Sequence, residues 1–134
     1  MVMFKVVKER LVWWPVNVAV PTDDGNVEEQ GFSLRFRVRD VDGNRDLLAN
    51  APAIGPSDAG EKPLSESYAE FVEQLATDWK DVESDHDDIG GGRGTLAFNR
   101  SNLVQVMKVP GAFMAVLEAY RSCSLGEKAT RTGN

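Results

Sequence analysis

From Leu11 to Val20 the even positions Val12, Trp14, Val16, Val18 and Val20 are all apolar. From Gln30 to Arg39 the pattern is cleaner, with Phe32, Leu34, Phe36 and Val38 alternating with Ser33, Arg35, Arg37 and Arg39. A period of two marks a strand with one buried face, so the pattern predicts two half-buried strands. Thr22-Asp23-Asp24-Gly25-Asn26 between them is turn chemistry, and the pair reads as an antiparallel hairpin. A two-residue turn at Asp24-Gly25 would set valines opposite arginines, so the alternation requires an odd-length loop or a bulge. One register that meets this condition places Val18 opposite Phe32, Val16 opposite Leu34 and Trp14 opposite Phe36. Pro15 has no N–H for a ladder, which makes the first strand an edge or bends it at a bulge. Met3 to Val7 predicts a short further strand.

After Arg39 the alternation stops and the period changes. Asp46 to Ala49 suits one helical turn, and Asn50 to Pro63, with Pro52, Gly55, Pro56, Gly60 and Pro63, reads as a flexible linker. Tyr68, Phe71, Val72, Leu75 and Trp79 then fall at helical spacing, which predicts a helix ending between Trp79 and Val82. Its start has two candidate caps, Ser67 in a capping box with Glu70, or Ser65. A polar loop, 84–95, carries a glycine hinge at Gly90 to Gly94. Beyond it Asn99 caps a short helix bearing Leu103, Val104, Val106 and Met107, and Pro110 suits the first turn of a second, bearing Phe113, Met114, Val116, Leu117 and Tyr120. Two helices this short need a surface to lean on. The expectation is a single α+β domain over 1–123, an N-terminal antiparallel hairpin packed on a small set of helices, with 124–134 as a disordered polar tail. The apolar stripe of Trp14, Val16, Val18, Phe32, Leu34 and Phe36 is expected to face Tyr68, Phe71 and Leu75.

Composition narrows the chemistry. At 134 residues, 42% hydrophobic and 27% charged, the chain is one domain of ordinary globular make-up. The net charge of −6 is uneven: residues 46–92 hold twelve acidic and two basic side chains, and residues 93–134 hold two acidic and six basic. An acidic middle of this size repels phosphate backbones, which argues against general nucleic-acid binding. No apolar run is long enough to span a bilayer, and the charged N-terminus lacks a signal-peptide core. A lone cysteine, Cys123, leaves no internal disulfide to form and suits a reducing cytosol.

Catalytic and ligand-binding patterns fail one by one. His86, between carboxylates, reads as a solvated loop histidine, and Cys123 as a small packing residue. The acidic run from Asp81 to Asp88 invites a calcium loop, but from Asp85 it puts Ile89 at the fifth position and Leu96 at the twelfth, where ligands are needed. Gly90 to Gly94 lacks the Gly-Lys-Ser/Thr ending of a phosphate loop. Arg35, Arg37 and Arg39 read as the wet face of their strand. No catalytic, cofactor or metal site is therefore expected. The candidate contact residues are for protein partners: Trp13 and Pro15 on the hairpin edge, and Met114 and Tyr120 on the last helix, left near the surface if Phe113 and Leu117 turn inward.

Two blocks carry a family resemblance. The first is Trp13-Trp14-Pro15-Val16-Asn17-Val18-Ala19-Val20-Pro21 with the Asp24-Gly25 turn and the Phe32 to Val38 strand. The second is Trp79-Lys80-Asp81-Val82, Phe98-Asn99-Arg100-Ser101-Asn102-Leu103, Val109-Pro110-Gly111 and Ala119-Tyr120. In order and spacing, over about half the chain, they resemble the tail assembly chaperones of long-tailed bacteriophages. The resemblance implies a non-catalytic protein of the host cytoplasm, absent from the mature virion. Its partner would be the tape measure protein, held soluble until tail-tube subunits polymerise around it, with tail-tube subunits and further copies of the chain as other contacts. It implies no nucleic-acid or membrane role, and many such genes also yield a longer, frameshifted product. The rival reading is a structural tail-completion or adaptor protein of the virion.

Overall fold

The hairpin forms where the alternation puts it, but longer. The structure, a computed structural model, describes residues 2–52, 62–84 and 94–126. Strand β1 runs Glu9–Pro21 and β2 runs Val27–Arg39, antiparallel and joined by a five-residue loop, 22–26. The odd loop length demanded by the pattern is present. The register, however, is offset by two from the one expected: Val16 pairs with Phe32, Trp14 with Leu34 and Val12 with Phe36. The cause lies in the turn, which closes around Asp24. Its carboxylate takes hydrogen bonds from the Thr22 hydroxyl and from Asn26 N and Nδ2, while Thr22 N donates to Asn26 O at 2.8 Å. Gly25, at φ +85°, supplies the left-handed step. An offset of two preserves side-chain parity, so the apolar face survives it.

The largest departure from the sequence reading follows the second helix. Helix α1 spans Val41–Ala49 and helix α2 spans Leu64–Leu75, and where the periodicity continues to Trp79 the chain instead extends into strand β3, Ala76–Lys80. β3 pairs antiparallel with β2, giving the order β1-β2-β3 with a bulge opposite Arg35 and Phe36. Trp79 falls opposite Leu34 on the apolar face and is buried there. Its indole N–H donates to Leu96 O at 2.8 Å and its ring meets Phe98 edge-on at 5.2 Å, so it ties β3 to the chain that leads into the last helices. Two short strands, β4 (Glu83–Ser84) and β5 (Gly94–Thr95), flank 85–93. The expected strand at Met3 to Val7 is absent: these residues join no ladder and are exposed.

The tandem helices appear as read, α3 at Arg100–Met107 and α4 at Ala112–Ser124, with an angle of 104° between them. Asn99 Oδ1 accepts from Asn102 N at 2.9 Å, the cap predicted. Pro110 lies two residues ahead of the first residue of α4 rather than in its first turn, before Gly111, whose φ of +85° starts the helix. Neither serine caps α2, which begins after Pro63 without a side-chain cap, the Pro63 carbonyl accepting from Glu66 N and Ser67 N. α1 is longer than one turn because Asp40 caps it through Gly43 N at 2.7 Å, although only Leu47 of that helix is buried.

The core forms between the sheet and α4. Phe36 meets Tyr120 edge-on at 5.3 Å, while Tyr68 stacks on Phe113 at 3.9 Å and Phe71 meets the same ring at 6.0 Å. Hairpin and α2 share one core, α2 packing on β2 directly as expected and α4 joining both. Val16, Val18, Leu34 and Phe36 are buried, and Trp14 and Phe32 are half-buried. On the surface Arg100 pairs with Glu73 and Glu70, tying α3 to α2, and Lys62, just ahead of α2, pairs with Glu70. No single helix among the described residues is long and apolar enough to cross a membrane.

Candidate functional site

β1 has β2 on one side and, among the described residues, no strand on the other. Pro15 lies mid-strand opposite Ser33 and cannot donate to β2, which places it on an edge as its chemistry requires. In an antiparallel ladder opposed residues exchange hydrogen bonds at every second pair. With Pro15 in a non-exchanging pair, the backbone groups of Trp13 point to the open side as well.

Beside that edge runs a groove of about 260 Å³ between β1 and α4. Trp14, Pro15, Ala115 and Ala119 give it an apolar floor, and Asn17, Glu118 and Ser122 edge it with polar groups. It exists because α4 carries alanine at two positions four apart, which share one helix face and leave room where longer side chains would fill it. Arg121 hydrogen-bonds to the Glu118 carboxylate and holds it below the ordinary carboxylate range. Met114, next in chain to Ala115, is 50% exposed. A second groove, of about 180 Å³, opens near the hairpin tip, where Val18, Val20 and Phe32 face Val106 and Val109 and the acidic residues Asp81 and Glu83 line it. Asp81 holds a φ of +66°, a left-handed conformation that, besides glycine, asparagine and aspartate adopt most readily.

The four candidate contact residues divide. Pro15 lines the first groove although its ring is buried. Trp13 lies on the face of β1 opposite Trp14, half-buried, with Lys80 Nζ 4.1 Å from the centre of its ring. Met114 is at the surface as expected. Tyr120 is not: it is 1% exposed, and its hydroxyl lies 3.0 Å from Arg37 O and 2.6 Å from Asn44 Oδ1. With one proton the hydroxyl serves the Arg37 carbonyl, and an Asn44 amide turned to present its NH₂ completes the second bond. Helical spacing already separates the two residues. Tyr120 shares a face with Phe113 and Val116, whereas Met114 shares one with Glu118 and Arg121. The groove alanines were missed because small residues give no periodic signal of their own.

Of the reactive side chains, His86 and most of the glycine hinge lie outside the described residues. Cys123 is buried, and desolvation pushes its thiol up to about 11, so at neutral pH it stays protonated. Among the described residues no three His, Cys, Asp or Glu side chains are placed to hold a metal ion.

By fold the chain is an α+β domain, and the features its surface offers, an open strand edge beside an apolar groove, are ones that suit an extended polypeptide. No family model, curated protein or solved structure matches it.

Proposed function

We propose that the chain is a non-catalytic tail assembly chaperone of a long-tailed bacteriophage, which holds the tape measure protein soluble in the host cytoplasm and leaves before the virion is complete. The observation that carries this reading is the apolar groove along the open edge of β1. A holding factor needs apolar surface that stays available in its own folded state, and here Met114 and the groove floor provide it. The family-like residues fit the same reading as scaffold: Asn99 caps α3, Trp79 anchors the approach to it, and Tyr120 locks α4 to the sheet.

Co-expression with the tape measure protein of the same genome tests this. The wild-type chain is expected to move that protein into the soluble fraction. Met114→Asp combined with Ala115→Arg is expected to keep its fold, as judged by circular dichroism, and to lose the effect. A folded double variant that still solubilises the client removes the groove from the reading. Recovery of the chain in purified particles would favour a structural tail protein instead.

A further inference from the structure

The other face of the sheet bears cations that have no carboxylate partner among the described residues. Alternation along β2 puts Arg35, Arg37 and Arg39 on the face opposite Leu34 and Phe36, and Lys80 of β3 joins them there over Trp13. Among the described residues, the helix arginines Arg45, Arg100 and Arg121 each have a carboxylate within 4.0 Å; Arg35, Arg37, Arg39 and Lys80 have none. Asp78 lies directly across from Arg35, yet its carboxylate turns back to accept from Trp79 N at 2.8 Å. Arg39 gives one N–H to Gln74 O. The Nε atoms of Arg35 and Arg37 and Nη1 of Arg39 are shielded from solvent and have no acceptor. A chain with 21 acidic and 15 basic residues has carboxylates to spare. That it pairs the arginines of its helices and leaves these three without a carboxylate points outward.

We propose that this face is a docking site for an extended acidic segment of a partner protein, with carboxylates at alternate positions. Alternate side chains on one strand stand about 7 Å apart, and so do those of the extended segment. A guanidinium can take a carboxylate in two parallel bonds through a pair of its N–H groups, so each strand arginine suits one carboxylate of such a segment. A nucleic-acid strand fits less well. Its phosphates would run on towards the hairpin tip, where Asp23, Asp24, Glu28 and Glu29 repel them, and the Trp13 ring that a base would stack on is covered by Lys80. This surface is separate from the groove beside α4, so either proposal stands if the other fails.

Fluorescence anisotropy with a labelled peptide of alternating glutamate and alanine, at low salt, tests it on the full chain. The peptide is expected to bind, to weaken as salt rises, and to lose about tenfold or more in affinity in the Arg35→Gln, Arg37→Gln double variant. An Arg45→Gln, Arg121→Gln variant, which removes the same charge from helices, is expected to bind as wild type does. Should the glutamine variant fail to fold, Arg35→Lys with Arg37→Lys keeps the charge and removes the paired donors, and it too is expected to bind more weakly. No binding, equal loss in the helix variant, undiminished binding by both strand variants, or tighter binding of an oligouridine probe would each overturn the proposal.

Discussion

Cys123 shows how far burial reaches into single-residue behaviour. Its thiol, ordinarily ionising near 9.0, is raised to about 11 by desolvation alone. Between those values the unfolded chain gives up a proton that the folded chain keeps, so stability falls as pH rises from about 9 to about 11, and this group's share of the loss is complete above that. A shift of this size amounts to about 2 to 3 kcal/mol. The urea midpoint of wild type should therefore fall relative to that of Cys123→Ala as pH is raised through that window. Parallel curves would show that the thiol contributes no pH dependence. Tyr120 and Met114 make a related point without titration. Six residues apart on one helix, they end on opposite sides because one belongs to the face of Phe113 and the other to the face of Glu118.

At the scale of elements, caps separate local from tertiary control. Asn99 supplies the one side-chain acceptor at the start of α3, a helix of eight residues that cannot hold itself, so Asn99→Ala should cost about 1 kcal/mol in chemical denaturation. Ser65→Ala should cost no more than a few tenths, because α2 starts after Pro63 and makes no use of that hydroxyl as a cap. Equal costs at the two sites would mean that α2 is capped in a way the structure does not show. The same helix shows where periodicity misleads. Trp79 continues the apolar spacing of Tyr68, Phe71, Val72 and Leu75, and no glycine or proline stops the helix before it. Pairing with β2 stops it. Ala76 to Lys80 satisfies backbone groups of the central strand and buries Trp79 opposite Leu34, a gain that local propensity cannot register.

Over the whole molecule, Phe36 is the point where sheet and α4 meet: fully buried, edge-on to Tyr120 and opposite Ala76 across the bulge. Phe36→Ala should lower unfolding free energy by about 3 to 5 kcal/mol, whereas Arg37→Gln, its neighbour on the outer face, should stay within about 0.5 kcal/mol. A melting curve of Phe36→Ala within a degree of wild type would mean that this face is not core. The two faces of one three-stranded sheet thus have different work. The inner one holds the fold together, and the outer one collects cations that have no carboxylate partner among the described residues.

The alternation of Val12 to Val20 with Phe32 to Val38 determined by itself that there would be a hairpin, which side chains would face inward and that its loop would be odd in length. The caps and spacing from Asn99 to Tyr120 likewise determined two helices and the turn between them. These features depend on neighbours within a few residues, and such neighbours are written side by side in the chain. Only the tertiary structure decided the register, the third strand, the hydrogen bond of Tyr120 to the sheet and the groove beside β1. Each depends on residues far apart in sequence competing for the same space: Tyr120 with the Arg37 carbonyl 83 positions away, Trp79 with Leu34 and Leu96, Pro15 with Ala115. A partner that distant leaves no periodic trace, because what selects it is the surface it covers and the hydrogen bond it completes.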